Sequence, residues 1–166
     1  MARVAAAPVD RPWLTLGIAI ITVEIIGASG ALFTSQGLAE WHPTLVRPAI
    51  APPNWVFAPV WTTLFALIGL ATWLVWRRAV AVPAQVRTAA VVFGVHFAAN
   101  LGWSAAFFGL QNIALGLAVI LLLWSLILAT MAVFARVDRR AALLLVPYLA
   151  WVSFAAYLNY RFWLLN

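Results

Sequence analysis

The sequence predicts an all-α integral membrane protein, a single domain over residues 1–166 in which five transmembrane helices form a bundle. Three observations support this. Apolar residues make up 66% of the chain and charged residues only 8%, whereas about a quarter of a soluble domain is charged. The apolar residues form five runs of about 20 residues or more, the length that crosses ~30 Å of hydrocarbon. Most of the ten arginines lie between these runs or near their ends.

The composition also excludes several classes of function. The chain has no cysteine, so disulfides, thiolate catalysis and cysteine-based metal sites are excluded, and we expect no metal site. The net charge of +6 comes from arginines placed as topology signals rather than as a phosphate-binding patch. We therefore expect membrane lipid, and not nucleic acid, around this protein.

The predicted helices cover approximately 13–33, 55–76, 86–110, 113–135 and 141–165. A signal peptide is the alternative for the first run, but the run is longer than a usual signal core, which favours a retained helix. The connection 34–54 is long and holds four prolines, so it is predicted as a loop and not as one regular helix. The prediction allows short helical turns within this loop. Pro147 is expected to kink the fifth helix.

Arginine placement predicts the orientation of the bundle. With five spans, eight arginines share the side of the N-terminus: Arg3, Arg11, Arg77, Arg78, Arg87, Arg136, Arg139 and Arg140. The other side holds two, Arg47 and Arg161. The N-terminus is therefore predicted to be cytoplasmic and the long loop outside. Helical spans favour a bacterial inner membrane, with the outer membrane as the alternative.

The third segment has two contrasting faces. At about 100° per residue, polar and aromatic residues share one face: His96, Asn100, Trp103 and Phe107. Small residues lie on the opposite face: Gly94, Ala98, Ala105 and Gly109. Small residues let helices approach closely in lipid, so this stripe is predicted to form a homodimer interface. The alternative is that both stripes pack within one bundle.

Glu24 is predicted to lie near the middle of the first helix, where an ionised carboxylate is costly unless it is paired, protonated or hydrated. Glu24 and His96 lie at similar depths in the predicted topology, so a Glu24–His96 contact is the first hypothesis. The alternative is a protonated Glu24 that hydrogen-bonds a backbone carbonyl.

Aromatic and amide side chains accumulate near the long loop. The fifth helix contributes Tyr148, Trp151 and Asn159, and the second contributes Trp61 and Phe65. This mixture suits a flat, apolar ligand with few polar groups. Simple packing of aromatic residues is the alternative.

Three stretches carry a resemblance to a known family: WHPTLVRPAIAPPNWVFAPVW (41–61), NLGWSAAFFG (100–109) and PYLAWVSFAAYLN (147–159). Together with GASGALFT (27–34), they resemble the TspO/MBR family, which comprises bacterial tryptophan-rich sensory proteins and the mitochondrial translocator protein, also called the peripheral-type benzodiazepine receptor. The resemblance covers nearly the whole chain.

The resemblance implies the five-helix TspO/MBR fold, commonly as a homodimer, with a ligand cavity beneath the first loop and no required cofactor. It implies porphyrin ligands, protoporphyrin IX or haem, and in some members sterols or benzodiazepine-type compounds. Carried over by motif, the lining would be Trp41, His42, Pro52, Trp61, Phe65, Asn100, Trp103, Trp151, Ala155 and Leu158.

Three positions depart from the family pattern. His42 stands where tyrosine is usual and His96 where glutamine is common, so an axial haem ligand is one hypothesis. Leu164 stands where the sterol-recognition pattern has arginine, and we therefore do not predict sterol binding from that pattern.

The leading functional prediction is a receptor, sensor or transport role in tetrapyrrole regulation. The first alternative is an enzyme for light- and oxygen-dependent porphyrin breakdown that uses tryptophans near the macrocycle, with no catalytic residue assigned. The second is a transporter of tetrapyrrole or sterol, although the chain shows no inverted repeat of the kind that alternating-access carriers have.

Overall fold

The computed structural model of the chain describes residues 11–166. Residues 1–10, including Arg3 of the orientation argument, lie outside the described residues. Five helices are long and apolar enough to cross a membrane: α1 (Pro12–Ser35), α2 (Asn54–Trp76), α3 (Pro83–Gly109), α4 (Ile113–Ala135) and α5 (Arg139–Leu165). The described residues form helices and turns without any strand. The predicted all-α, five-helix fold class is confirmed.

Proline and capping side chains set where the helices begin. Pro12 and Pro83 occupy the first turn of α1 and α3, where the missing N–H costs no helical hydrogen bond. Asp138 caps α5 by accepting a hydrogen bond from the Arg140 backbone N–H at 2.9 Å. The predicted starts at residues 86 and 141 were therefore too late. Each of these helices begins with a more polar turn, which a prediction from apolar runs does not include.

The connection 34–54 is not one regular helix, as its prolines indicated, and its first half consists of short helical pieces. α-Helix continues over Ala31–Gln36, a π-helical turn follows at Gly37–Trp41, and a 3₁₀ turn at His42–Thr44. Residues 45–53, here called the loop segment, are non-helical. Three of the four prolines of the predicted loop lie in this segment, where proline excludes regular helix.

The fifth helix is interrupted as Pro147 predicted. α-Helix covers Arg139–Leu144 and Val146–Leu165, with a break at Leu145. A proline ring clashes with the carbonyl four residues earlier, here that of Leu143, and provides no N–H for it. The interruption lies two residues before Pro147, where the ring of this proline is expected to act.

The helices pack in a ring. α1 lies against α2, α2 against the first part of α5, α5 against α4, and α4 against α3, while the end of α3 returns to the end of α1. At Gly69 of α2, an added Cβ would lie 2.6 Å from the Ile20 Cα atom of α1. Only glycine permits this approach, which provides the close packing that joins helices in lipid.

The hydrophobic core lies mainly in one half of the bundle, near the connections 77–82 and 136–138. Its fully buried members include Ile68, Ala71, Ile127, Leu145 and Tyr148. A smaller cluster around Phe107 and Phe162 lies at the opposite end, under the loop segment. We call this opposite end the loop face.

Candidate ligand cavity

A cavity of about 400 Å³ lies beneath the loop segment, enclosed by α1, α2, α3 and α5. Its walls are mostly apolar and aromatic, which is typical of a site that buries a small organic ligand. The lining residues are Glu24, Gly27, Ala28, Gly30, Ala31, Thr34, Leu38, His42, Arg47, Ala51, Asn54, Phe57, Ala58, Trp61, Thr62, Phe65, Asn100, Trp103, Ser104, Phe108, Leu158 and Phe162.

The structure brings six of the ten predicted lining residues to this cavity: His42, Trp61, Phe65, Asn100, Trp103 and Leu158. Two of the aromatic rings pack together on α2, with the Trp61 and Phe65 ring centroids 5.2 Å apart. They are on one face because residues four apart in a helix project in the same direction.

Four predicted lining residues lie elsewhere, which corrects the prediction. Trp41 packs edge-on against Phe107 at 5.4 Å and lines a separate cleft on the loop face. Pro52 lies in the loop segment, where its carbonyl accepts a hydrogen bond from the Arg47 guanidinium. The π-helical turn Gly37–Trp41 sets the direction of Trp41, and the sequence carries no signature of such a turn.

The other two, Trp151 and Ala155, lie behind the cavity wall. The Trp151 ring packs 5.7 Å from that of Phe57, which lines the cavity itself. Ala155 is buried in the core cluster. Phe57 therefore lines the cavity where its ring packs on Trp151.

The sequence missed several lining residues, among them Arg47, Asn54, Ser104 and Phe108. Arg47 had a usable signal, since it is one of two arginines on its side of the predicted topology. Neither Ser104 nor Phe108 lies on the predicted polar face of α3. The π-helical turn Ala105–Gly109 changes the direction of side chains at the end of α3, which explains Phe108.

The predicted Glu24–His96 contact is wrong. His96 is fully buried, and its Nε2 atom lies 3.1 Å from the Tyr148 hydroxyl on α5. Glu24 lies instead on the cavity wall. The two residues lie at similar depths in the predicted topology, but α3 directs His96 towards Tyr148 of α5. His96 is also not part of the cavity lining, which removes it as an axial ligand for haem.

Asn100 connects the buried polar cluster to the cavity. Its Nδ2 atom donates a hydrogen bond to the Tyr148 hydroxyl at 2.9 Å, and the residue also lines the cavity. A second buried amide, that of Asn159, makes two hydrogen bonds. Its Oδ1 atom accepts from the Trp103 indole N–H at 3.1 Å, and its Nδ2 atom donates to the Ile113 carbonyl at 3.0 Å. These bonds satisfy buried polar groups and hold the Trp103 ring in the wall.

His42 and Arg47 lie where the cavity meets the loop segment, here called the mouth. The His42 ring packs 5.3 Å from that of Phe162 and 6.0 Å from that of Phe108. Burial, and next the positive charge of Arg47, lower the pKa of the His42 imidazole below its usual value. His42 is therefore neutral at pH 7, and Arg47 is the cation of the mouth. Across residues 11–166, no group of three His, Asp or Glu side chains could hold a metal ion.

The predicted small-residue stripe of α3 divides in two. Gly94 and Ala98 are exposed, and a Cβ added at Gly94 would meet nothing within 4 Å. Ala105 is half-buried, and a Cβ at Gly109 would lie 3.6 Å from the Phe33 side chain of α1. Gly94 and Ala98 are open to a partner, whereas Gly109 is exposed but lies beside Phe33 of its own chain; the homodimer remains a prediction.

The fold and site define a class of protein: a multi-pass α-helical membrane protein whose bundle encloses an apolar cavity beneath its first loop. Comparison with known proteins identifies the family. Residues 19–164 match the TspO/MBR family, and the chain belongs to it, as its motifs indicated. Membership supports a role as a membrane receptor or sensor.

Three relatives illustrate the range of this similarity. The chain is 45% identical over 161 residues to the tryptophan-rich protein TspO of Chlorobaculum tepidum, covering 95% of this chain and 99% of the relative. It is 35% identical over 150 residues to the tryptophan-rich sensory protein of Cereibacter sphaeroides, covering 87% and 90%. It is 31% identical over 152 residues to the translocator protein of Bos taurus, covering 92% and 90%.

Proposed function

We propose that this protein binds a tetrapyrrole, protoporphyrin IX or haem, in the cavity under its first loop and acts as a receptor in tetrapyrrole regulation or transport. The observation that carries the proposal is the cavity itself. Its volume of about 400 Å³ lies within the ~300–1,000 Å³ of sites that bury a drug-sized ligand.

The chemistry of the walls supports a flat aromatic ligand. Trp61, Phe65 and Trp103 line the cavity from two different helices, and aromatic rings favour offset stacking or edge-to-face contact with another π-system. Polar groups are few, so a ligand with a large apolar body leaves few hydrogen bonds unmade. The same walls suit other flat hydrophobic compounds, among them the sterol and benzodiazepine-type ligands implied by the resemblance.

Tryptophan-fluorescence quenching by protoporphyrin IX tests the proposal in detergent micelles. We expect saturable quenching for the wild type and weaker affinity for Trp61→Phe, because the smaller ring removes stacking area. Trp55→Phe is the matched control: Trp55 lies on the same helix but is 74% exposed and does not line the cavity. Non-saturating quenching that is equal in all three proteins indicates partitioning into the micelle and contradicts the proposal.

A further inference from the structure

We propose that the cavity selects ligands with an acidic edge, and that the Arg47 guanidinium binds a ligand carboxylate at the mouth. This inference rests on the proposed function, since it specifies the chemistry and orientation of the ligand in the same cavity. It names the ligand class as flat, lipophilic carboxylic acids rather than flat hydrophobic molecules in general.

The first argument is the position of Arg47. It lies in the loop segment, lines the cavity and is solvent-exposed. Its Nη2 atom donates a hydrogen bond to the Pro52 carbonyl, the one hydrogen bond that the guanidinium makes among the described residues. A guanidinium has five N–H donors in a fixed fork. One contact therefore anchors the group, and its other donors remain available to a ligand.

The second argument is the field at the mouth. The charge of Arg47 reaches His42, where it adds to burial in lowering the imidazole pKa. His42 is therefore neutral and offers one ring N–H as a further donor. The other polar lining residue from this part of the chain is Asn54, an uncharged amide. A ligand carboxylate at the mouth meets a cation and neutral donors there.

The third argument is the carboxyl group at the other end of the cavity. Glu24 lines the cavity ten residues before Thr34 of the same helix, which corresponds to about 15 Å along the axis. A ligand carboxylate at that depth would lose its hydration among apolar side chains and would meet a second carboxyl group instead of a cation. The reversed orientation is thus disfavoured, and the acidic edge is directed outward.

Arginine and carboxylate form paired, charge-assisted hydrogen bonds with matched geometry. Placing the ligand's charged group at the mouth keeps it near water, while its apolar body remains among the aromatic walls. The expected benefit is modest because Arg47 is exposed and salt screens the interaction.

The test compares protoporphyrin IX with its dimethyl ester, which has the same ring but no free carboxylate. Affinities are measured by fluorescence quenching in uncharged detergent for the wild type, Arg47→Gln and Arg161→Gln. Arg161 is the matched control, since it is the other arginine on the same side of the predicted topology and does not line the cavity. We expect Arg47→Gln to weaken acid binding about two- to fivefold and to leave ester binding unchanged, and Arg161→Gln to alter neither.

Arg47→Lys separates charge from loop support. Lysine retains the charge but not the planar fork, so we expect it to keep most of the preference for the acid. Raising the salt concentration should reduce that preference in the wild type but not in Arg47→Gln. Melting temperatures of all variants verify that each protein is folded.

The possible results are distinguishable. If neither compound binds saturably, the proposed function itself fails. If Arg47→Gln weakens the acid and the ester equally, Arg47 only supports the loop segment and the inference is overturned. If the wild type binds the acid and the ester with equal affinity while anionic phospholipid weakens both in the wild type but not in Arg47→Gln, a lipid phosphate occupies Arg47, and the carboxylate assignment is overturned.

Discussion

The Asn100 Nδ2 atom on α3 lies 2.9 Å from the Tyr148 hydroxyl oxygen on α5. An amide N–H can only donate, so this hydroxyl accepts from Asn100, and the same oxygen lies 3.1 Å from His96 Nε2. The Tyr148 hydroxyl therefore orients the Asn100 amide from the side of α5. The Asn100 side-chain oxygen remains as a hydrogen-bond acceptor at the cavity wall.

Tyr148→Phe should destabilise the protein by about 1–3 kcal/mol, because it leaves buried polar groups on Asn100 and His96 without a partner. Thermal unfolding in detergent measures the change. Tyr157→Phe is the control, since Tyr157 is exposed and its hydroxyl accepts only a long 3.4 Å bond from Arg161 among the described residues. Equal melting temperatures for wild type and Tyr148→Phe would show that the cluster contributes no net stability.

Gly37→Ala should separate the ends of α1 and α3. A Cβ at Gly37 would lie 3.0 Å from the Cα and carbonyl carbon of Phe108, and backbone atoms cannot rotate away as a side chain can. We expect about 1–3 kcal/mol of destabilisation, the usual cost of overpacking, and weaker ligand binding because Phe108 lines the cavity. Gly17→Ala, where a Cβ meets nothing within 4 Å, should not destabilise. A fully stable Gly37→Ala protein would contradict this close approach.

Asn166→Ala should loosen the loop segment. The Asn166 side chain accepts from the Val46 N–H at 2.8 Å and donates to the Val46 carbonyl at 3.2 Å, as a neighbouring strand would. Without it, hydrogen–deuterium exchange in residues 45–53 should become faster by about tenfold, since each such bond contributes roughly 1 kcal/mol. Leu165→Ala serves as the control because it preserves both bonds. Unchanged exchange in Asn166→Ala would rule out this tether.

Protonation of His42 should make the protein less stable in mild acid. Its pKa is lower in the folded protein than in the unfolded chain, so the unfolded state binds more protons once the pH falls below about 6.5. Stability from this group is complete above that pH and decreases as the pH falls towards the lowered pKa. Unfolding of wild type and His42→Gln between pH 7.5 and 5 measures the effect, and we expect a smaller decrease in the variant. Parallel pH profiles would exclude His42 as the source.

Gly94→Leu tests the predicted homodimer. The residue is exposed and open, so a bulky side chain should leave the single chain intact while preventing close helix approach across an interface. Light scattering in detergent should show a dimer for the wild type and a monomer for the variant. Gly17→Leu, at an equally open site of α1, should remain dimeric. A dimer that persists in Gly94→Leu places the interface elsewhere.

Local features were predictable from the sequence. Hydropathy depends on each segment alone, which is why five spans and their approximate limits could be read without a structure. The 3.6-residue period placed His96, Asn100 and Phe107 on one face of α3, and all three are buried. The proline rule likewise predicted the break in α5.

The neighbours of each residue required the tertiary structure. Glu24 and His96 lie at similar depths in the predicted topology, yet the His96 side chain contacts Tyr148. The depth of a residue in the membrane follows from its position along the chain. The direction of its side chain depends on how the helix is rotated against its neighbours. Trp151 lies behind Phe57 for the same reason. The sequence by itself determined that the chain crosses a membrane with five helices. The free energy of moving an apolar segment from water into lipid depends on the composition of that segment alone. Only the packing of those helices, and the π and 3₁₀ turns at their ends, decided which side chains meet in the cavity.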